Sequence, residues 1–323
     1  MKTLLHLCAA LCSLCAVSGN AIGQVYPAKP VRMVIGFPPG GGTDIVGRIV
    51  AQKLAEGLGQ QVIADNRGGA SGQLAAEIVA KAPPDGYTIM MAHIAAMSIL
   101  PSLYPKLPYD PVRDFAPISM AAISPNIVIV HPSLPAKNVK ELIALAKAQP
   151  NQLHFASSGN GTVQHFAGEM LNLQAKIKMV HIPYKGAGPS MVDLIAGHVE
   201  IGFDVIPVAL PYIKSGRLRV LAVATQNRSS LLPEVPTVAE GGLAGFDFST
   251  WWGLVAPAAV GKNVIARLHA SAAKVLREAD VKERIVQNGA EAVGNTPAEF
   301  AAFIRSERDK YAKITKAANI HVQ

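Results

Sequence analysis

The sequence predicts an α/β fold built as two similar halves, and three observations carry that reading. Short apolar segments alternate with stretches whose apolar residues recur at helical spacing, the pattern of a parallel sheet covered by helices on both faces. The order apolar strand, glycine-rich turn, threonine, helix occurs twice, at 31–54 and at 153–173. Two long extended stretches, near Ile123 and near Trp252, are candidate crossings between the halves.

The first unit opens on Val31–Ile35, an apolar strand, and turns through Gly36-Phe-Pro-Pro-Gly40-Gly-Gly-Thr43 into a helix whose stripe is Ile45, Val46, Ile49, Val50 and Leu54. Gly40, Gly41 and Gly42 permit a sharp turn and close approach of a ligand to backbone amides, and Thr43 is the expected N-cap. A strand at 61–65 runs into the small-residue loop 66–72 and a helix at 74–81. A turn at Pro83-Pro84-Asp85-Gly86 precedes a strand at 87–92 that closes on His93. An extended segment at 115–123 and a strand at 127–130 follow.

The second set begins with a helix opened by Asn138 and Glu141 in capping-box spacing. The strand Leu153–Ser157 then runs through Ser158-Gly159-Asn160-Gly161-Thr162 into the helix 163–173. Strands at 178–182, 200–203 and 218–224 alternate with helices at 191–196 and 208–214, the second of these strands ending on Asp204. After the extended segment 248–257 the chain ends in helices at 263–279, 281–288 and 297–316.

The chain has 323 residues, half of them hydrophobic, ample for a core and consistent with two domains. Lys2, the apolar run Leu4–Val17 and small residues offering cleavage near 21–23 read as a secretory signal, too short for a membrane span. Cys8, Cys12 and Cys15 all lie within it, so the mature chain has no disulfide, thiolate metal site or cysteine nucleophile. Lipidation at Cys15 is disfavoured because Leu14 stands where a small residue is wanted. The net charge of +8 is spread over surface helices without a basic-aromatic cluster, which argues against nucleic acid and fits capture of anionic solutes.

Helix starts with unpaired amides bind anions. Either glycine-rich loop alone reads as a plain tight connection, whereas the pair suggests two facing anion-binding corners. The first departs from a phosphate-binding P-loop because Gly42 stands where the lysine belongs, and the second departs from a dinucleotide fingerprint at Gln164. His165 and Glu169 share a helix face but have no third metal ligand. His93 is either a ligand donor or a satisfied core residue; Asp204 either receives a ligand's donor or fixes the hinge. Asp44 reads as a dipole-compensating structural acid, and Trp251 and Trp252 as packing at a domain join. There is no Gly-x-Ser-x-Gly or His-Glu-x-x-His motif. Ser157, Ser158 and His165 form an imaginable nucleophile and base with no orienting acid implied.

The motifs Tyr26-Pro27-x-Lys29-Pro30-Val31, Phe37-Pro-x-Gly-Gly41, Asn66-Arg-x-Gly-Ala70-x-Gly72, Pro84-Asp-Gly-Tyr87-Thr88, Phe155-Ala-Ser-Ser-Gly159, Pro183-Tyr-Lys-Gly186 and Val235-Pro-Thr-Val238 resemble, in order along the whole mature chain, the Bug family of periplasmic solute receptors of tripartite tricarboxylate transporters. The resemblance implies a two-lobed periplasmic-binding-protein fold (type II, Venus-flytrap) with two crossing strands: signal peptide at 1–23, lobe 1 at 24–123, lobe 2 at 124–250, and a return strand with C-terminal helices to lobe 1 at 251–323. It implies a periplasmic, monomeric, non-enzymatic protein without cofactor, partnered by a small organic acid (dicarboxylate or acidic amino acid) and by integral-membrane transporter subunits; the aromatic residues Phe37, Tyr184, Trp251 and Trp252 admit an aromatic carboxylate as readily. Ligand contacts carried onto this sequence are Phe37, Pro38, Gly41, Gly42, Thr43, Ser71 and His93 in the first lobe, with ordered water near Phe37-Pro38, and Ser157, Gly159, Gly161, Thr162, His165 and Asp204 in the second. A sensor handing the closed form to a histidine kinase and a secreted α/β hydrolase are the rival readings.

Overall fold

The structure, a computed structural model, describes residues 26–320. The segment read as a signal peptide, with all three cysteines, lies outside the described residues. In lobe 1, β1 (Val31–Ile35) lies between the parallel strands β2 (Val62–Asn66) and β3 (Thr88–His93), as the alternation predicts. Beside β3 runs β9 (Ser249–Pro257), antiparallel, and beside β9 the first part of β4 (Phe115–Val130). In lobe 2, β5 (His154–Ser157) pairs in parallel with β6 (Val180–Pro183) and β7 (Ile201–Val205). Asn126–Val130 of β4 pairs antiparallel with β7 and with β8 (Arg219–Val223).

The strand β4 therefore belongs to both lobes. The sequence separates an extended segment at 115–123 from a strand at 127–130, but the two are one strand: Pro125 between them sits opposite Ser249, and the next residue, Asn126, donates its backbone N–H to Phe248 O at 3.1 Å. A proline removes only its own donor. Across this junction Asn126 Nδ2 donates to Thr250 Oγ1 at 3.0 Å, a buried tie between the two crossing strands.

Helix α1 (Gly42–Leu58) buries Val46, Ile49, Val50 and Leu54 in a cluster with Val31, Met33 and Ile35 of β1. Helices α8 (Lys262–Val275) and α9 (Ala279–Gln287) return to pack on α1, and Lys53 of α1 pairs with Asp280 at 2.6 Å. The last long helix, α10 (Pro297–Ala318), starts in a full capping box between Thr296 and Glu299 and lies against β4. The remaining helices are α2 (Gln73–Ala80), α3 (Leu100–Leu103), α4 (Val139–Ala148), α5 (Val163–Ala175), α6 (Ala187–Ala196) and α7 (Ile206–Lys214).

Some elements were invisible in the pattern, among them α3, whose four residues are too few to show a helical period. A π-helical turn, Ala95–Ile99, leads into α3; its residues are all buried, so no polar face marks a helical period. The two-residue β10 (Glu291–Ala292) pairs with β4 and is too short to carry a period.

Candidate ligand-binding cleft

The first corner differs from expectation in one respect. The N-cap of α1 is Gly41, not Thr43, and Gly41 makes no side-chain cap. Thr43 sits one residue inside the helix, and its hydroxyl accepts the indole N–H of Trp252 at 3.0 Å. The loop is tied from behind by Asp44, which is buried and accepts hydrogen bonds from the Gly40 N–H (3.0 Å), Arg48 Nε (2.9 Å) and Asn66 Nδ2 (2.9 Å). These donors hold its carboxyl below the usual carboxylate range despite burial, which pushes the other way. The N–H groups of Gly41, Gly42 and Thr43 have no partner among the described residues. They lie at the positive end of a 17-residue helix.

Those residues face an inner cavity that both lobes enclose. Lobe 1 lines it with Phe37, Pro38, Gly41, Gly42, Thr43 and His93; lobe 2 supplies Ser158, Gln164, Ala187, Gly188, Asp204 and Val205; Thr250 and Trp252 come from the crossing strand β9. The cavity is tight: about 20 Å³ is open to the centre of a water molecule, room for roughly one. Phe37, Pro38 and Ser158 also border an outer cavity of about 790 Å³, which Ser71, Gly159, Asn160, Tyr184 and Lys185 help to line. Across its mouth Ser71 donates to the Asn160 carbonyl, a direct bond between lobes. Gly42 is required where it stands, since a Cβ there would lie 2.8 Å from the Trp252 ring and 3.0 Å from Val205 of lobe 2.

Of the residues expected at the site, Phe37, Pro38, Gly41, Gly42, Thr43, His93 and Asp204 line the inner cavity, and Ser71 and Gly159 the outer one. Ser157, Gly161, Thr162 and His165 line neither, because their polar atoms are consumed in holding the second corner together. The Thr162 hydroxyl donates to Gly159 O at 2.7 Å while capping α5 through the His165 N–H at 3.5 Å. His165 Nδ1 accepts from the Gly161 N–H at 3.3 Å, and Ser157 Oγ lies 2.6 Å from His181 Nε2. In that serine–histidine pair Ser157 is fully buried, no carboxylate bonds the His181 ring among the described residues, and the ring is stacked against His165 and Phe155.

Three lining elements were not anticipated. Ser158 rather than Ser157 faces both cavities. Gln164, read only as a departure from a dinucleotide motif, is buried on the cavity side of α5. The helix start that meets the first corner from lobe 2 is Gly186-Ala187-Gly188, where α6 begins with Gly186 as its N-cap. The clue was available: glycines directly before a helical stripe repeat the pattern of the first corner.

The cavity contains no cationic side chain. His93 is buried, and desolvation pushes its pKa down to about 3, so it is neutral; its Nδ1 accepts from the Ala95 N–H at 3.1 Å, which assigns the proton to Nε2. Its ring also packs edge-on against Phe37, 4.6 Å between centroids, so it serves core and cavity together. Burial pushes Asp204 up to about 7, against the opposing hydrogen bonds from Val205 N–H (2.8 Å) and the Gln164 side chain. Lys185 supplies positive charge only at the outer mouth. Among the described residues no three His, Cys, Asp or Glu side chains group as a metal site. The arrangement can hold an anion by backbone dipoles alone.

Comparison with known proteins bears on the same points. The structure superposes on that of periplasmic binding protein BugD with a TM-score of 0.88, at 34% identity over 92% of this chain and 100% of that one. A protein of R. palustris, Rpa4515, solved with adipate, gives 0.89 at 32% identity over 92% of this chain and 99% of that one. MatC from Rhodopseudomonas palustris, solved with bound malate, gives 0.85 at 31% identity over 90% and 99%. The two lobes are thus those of a periplasmic binding protein. No helix of the described residues is long and apolar enough to cross a membrane. With the tripartite tricarboxylate transporter receptor family matching residues 46–320, the chain belongs to that family of solute-binding receptors.

Proposed function

We propose that this receptor captures a small organic acid between its lobes in the periplasm and delivers it, chemically unchanged, to the membrane subunits of a tripartite transporter. The observation that carries the reading is the set of three unpartnered N–H groups, Gly41 to Thr43, at the start of α1 and on a cavity walled by both lobes. One carboxylate docks there, with Ser158 and the start of α6 closing from lobe 2, and the rest of the ligand extends into the outer cavity past Phe37 and Tyr184. Adipate and malate in two relatives support a carboxylate ligand. Contacts made by both lobes exist only when the lobes are together, so ligand shifts the population towards closure. The crossing strands near Asn126 and Thr250 are the hinge in this reading.

The test is a thermal-shift screen of organic acids on the mature protein, followed by recovery of the ligand. A ligand at a hundred times its Kd raises stability by about 2.7 kcal/mol. A raised melting temperature with the acid recovered intact is the expected result. If no mono- or dicarboxylate raises it, or the acid is recovered altered, the proposal fails.

A further inference from the structure

The crossing strand β9 brings to the inner cavity a hydroxyl whose proton is unpaired. Thr250 is 1% exposed and lines the cavity. Its Oγ1 accepts the Asn126 amide at 3.0 Å, and its O–H has no acceptor among the described residues. A hydroxyl has one proton to donate and two lone pairs, so a donor seated on the oxygen turns the proton elsewhere. Thr43 is arranged in the same way across the cavity, its Oγ1 filled by the Trp252 indole at 3.0 Å.

Asn126 has one bond to explain its burial. It is fully buried in β4, its Oδ1 has no partner among the described residues, and Nδ2 to Thr250 is the single hydrogen bond that its side chain makes there. A buried amide with one end empty is costly to the fold, and a cost at one end points to a use at the other. Turning the amide over would let Oδ1 take the Thr250 proton and close the pair on itself. The arrangement present does the reverse: the amide donates to Thr250, and the Thr250 proton is left for the cavity.

We infer that the Thr250 hydroxyl donates a hydrogen bond to the leading oxygen of the captured acid, and that Asn126 is the positioning residue that aims it. This rests on the reading that the acid docks its carboxylate at Gly41 to Thr43. The free space of about 20 Å³, roughly one water, admits one carboxylate oxygen. The cavity has no cationic lining residue, so neutral donors set the grip. In a chain from Asn126 N–H to Thr250 O–H to a carboxylate oxygen, each donor polarises the next and strengthens it. The two residues stand on different crossing strands, so the proton is aimed only while β4 and β9 keep this spacing.

Calorimetry on the mature protein tests this as a double-mutant cycle, with the tightest binder among succinate, malate, adipate, glutamate and benzoate as probe. Thr250→Val keeps the shape and removes the hydroxyl; it is expected to weaken binding about tenfold. Thr250→Ser restores the hydroxyl and is expected to bind within about threefold of wild type. Asn126→Leu is expected to weaken binding about fivefold with Thr250 in place and less than about twofold in the Thr250→Val background. A merely structural Asn126 would give the opposite, a lower melting temperature at unchanged affinity. Thr250→Ala takes the place of Thr250→Val if circular dichroism shows the latter unfolded, and the contrast with Thr250→Ser decides alone if Asn126→Leu is unfolded. Affinity of the hydroxyl-less variant within twofold of wild type, no recovery in Thr250→Ser, or equal losses from Asn126→Leu in both backgrounds overturns the inference and leaves the carboxylate reading intact. If none of the five acids binds the wild type, both fall.

Discussion

The two glycine-rich corners look alike in sequence and behave differently in space. At 40–43 the helix start is left open, its three leading N–H groups without partners among the described residues and their residues lining the cavity, while Asp44 braces the loop. At 158–162 the corner closes on itself: Thr162 and His165 take the carbonyl of Gly159 and the N–H of Gly161. The difference lies in which side chains stand beside the loop. An acid within the first helical turn reaches back to the loop and spares the helix amides, whereas an N-cap threonine and a histidine three residues later engage the loop directly. The pattern of glycines marks where a helix start can accept a ligand; the neighbouring polar residues decide whether it does.

The largest expected effect that separates the corners follows from adding one methyl group. Gly42→Ala places a Cβ 2.8 Å from the Trp252 ring and 3.0 Å from Val205, so the lobes cannot close over the first corner without displacing one of them. A loss of affinity of about a hundredfold is expected, equivalent to about 2.7 kcal/mol, read by calorimetry with the acid that gives the largest thermal shift. Affinity within threefold of wild type would mean that the first corner is not where the ligand is gripped.

The corners also differ in what acid does to them. The second is backed by the stacked pair His165 and His181, 4.1 Å between ring centroids, with pKa values pushed by burial down to about 4 and about 3; the mutual repulsion of the pair adds to the lowering at His181. With His93 at about 3, these rings stay neutral in the folded state while the unfolded chain takes up protons below about 6.5. The unfolded state then binds more protons, so stability falls as pH drops from about 6.5 to about 4. Asp204 opposes this, because its carboxyl, raised to about 7, takes up a proton in the folded state before the unfolded carboxyl does, and Glu169 and Glu307, also raised by burial, act in the same sense. Asp204→Asn removes one opposing proton. Its stability should therefore fall more steeply than wild type between pH 6 and 4.5, by about 1.4 kcal/mol per pH unit, in urea denaturation. Parallel slopes would show that Asp204 does not titrate in this range.

Much of the fold was legible because its signals are local. The strand Val31–Ile35 and the start of α5 at Val163 fall where alternation and capping chemistry put them. The cavity wall was less legible, because it depends on residues far apart in sequence. Nothing near Thr43 announces that Trp252, 209 positions away, will take its hydroxyl and leave Gly41 as the cap. The orientation of Ser157 and Ser158 illustrates the same limit. Ser157 ends β5 and bonds His181 of the neighbouring strand, whereas Ser158 stands just past the strand and lines the cavity, so the point at which the strand stops decides which serine reaches the site. Gln164 carried a visible but ambiguous signal: a polar side chain between Val163 and Phe166, both fully buried, has to meet something polar inside.

The smallest effect sharpens the contrast most directly. If Thr162 works only as a cap, Thr162→Ala should cost stability and leave recognition nearly intact. Loss of an N-cap threonine costs about 1 kcal/mol, and here the hydroxyl also holds the Gly159 carbonyl at 2.7 Å, so the loop loses its brace as well. The expected result is a melting temperature lower by a few degrees, with affinity for the organic acid within threefold of wild type. The same substitution at Thr43 removes the acceptor of the Trp252 indole from a residue that lines the cavity. Thr43→Ala should therefore weaken binding more than it weakens the fold. Measuring both variants by calorimetry and by thermal melting gives two ratios of affinity loss to stability loss. If the ratio at Thr162 equals or exceeds that at Thr43, the second corner touches the ligand after all, and the division between an open and a self-satisfied corner is wrong.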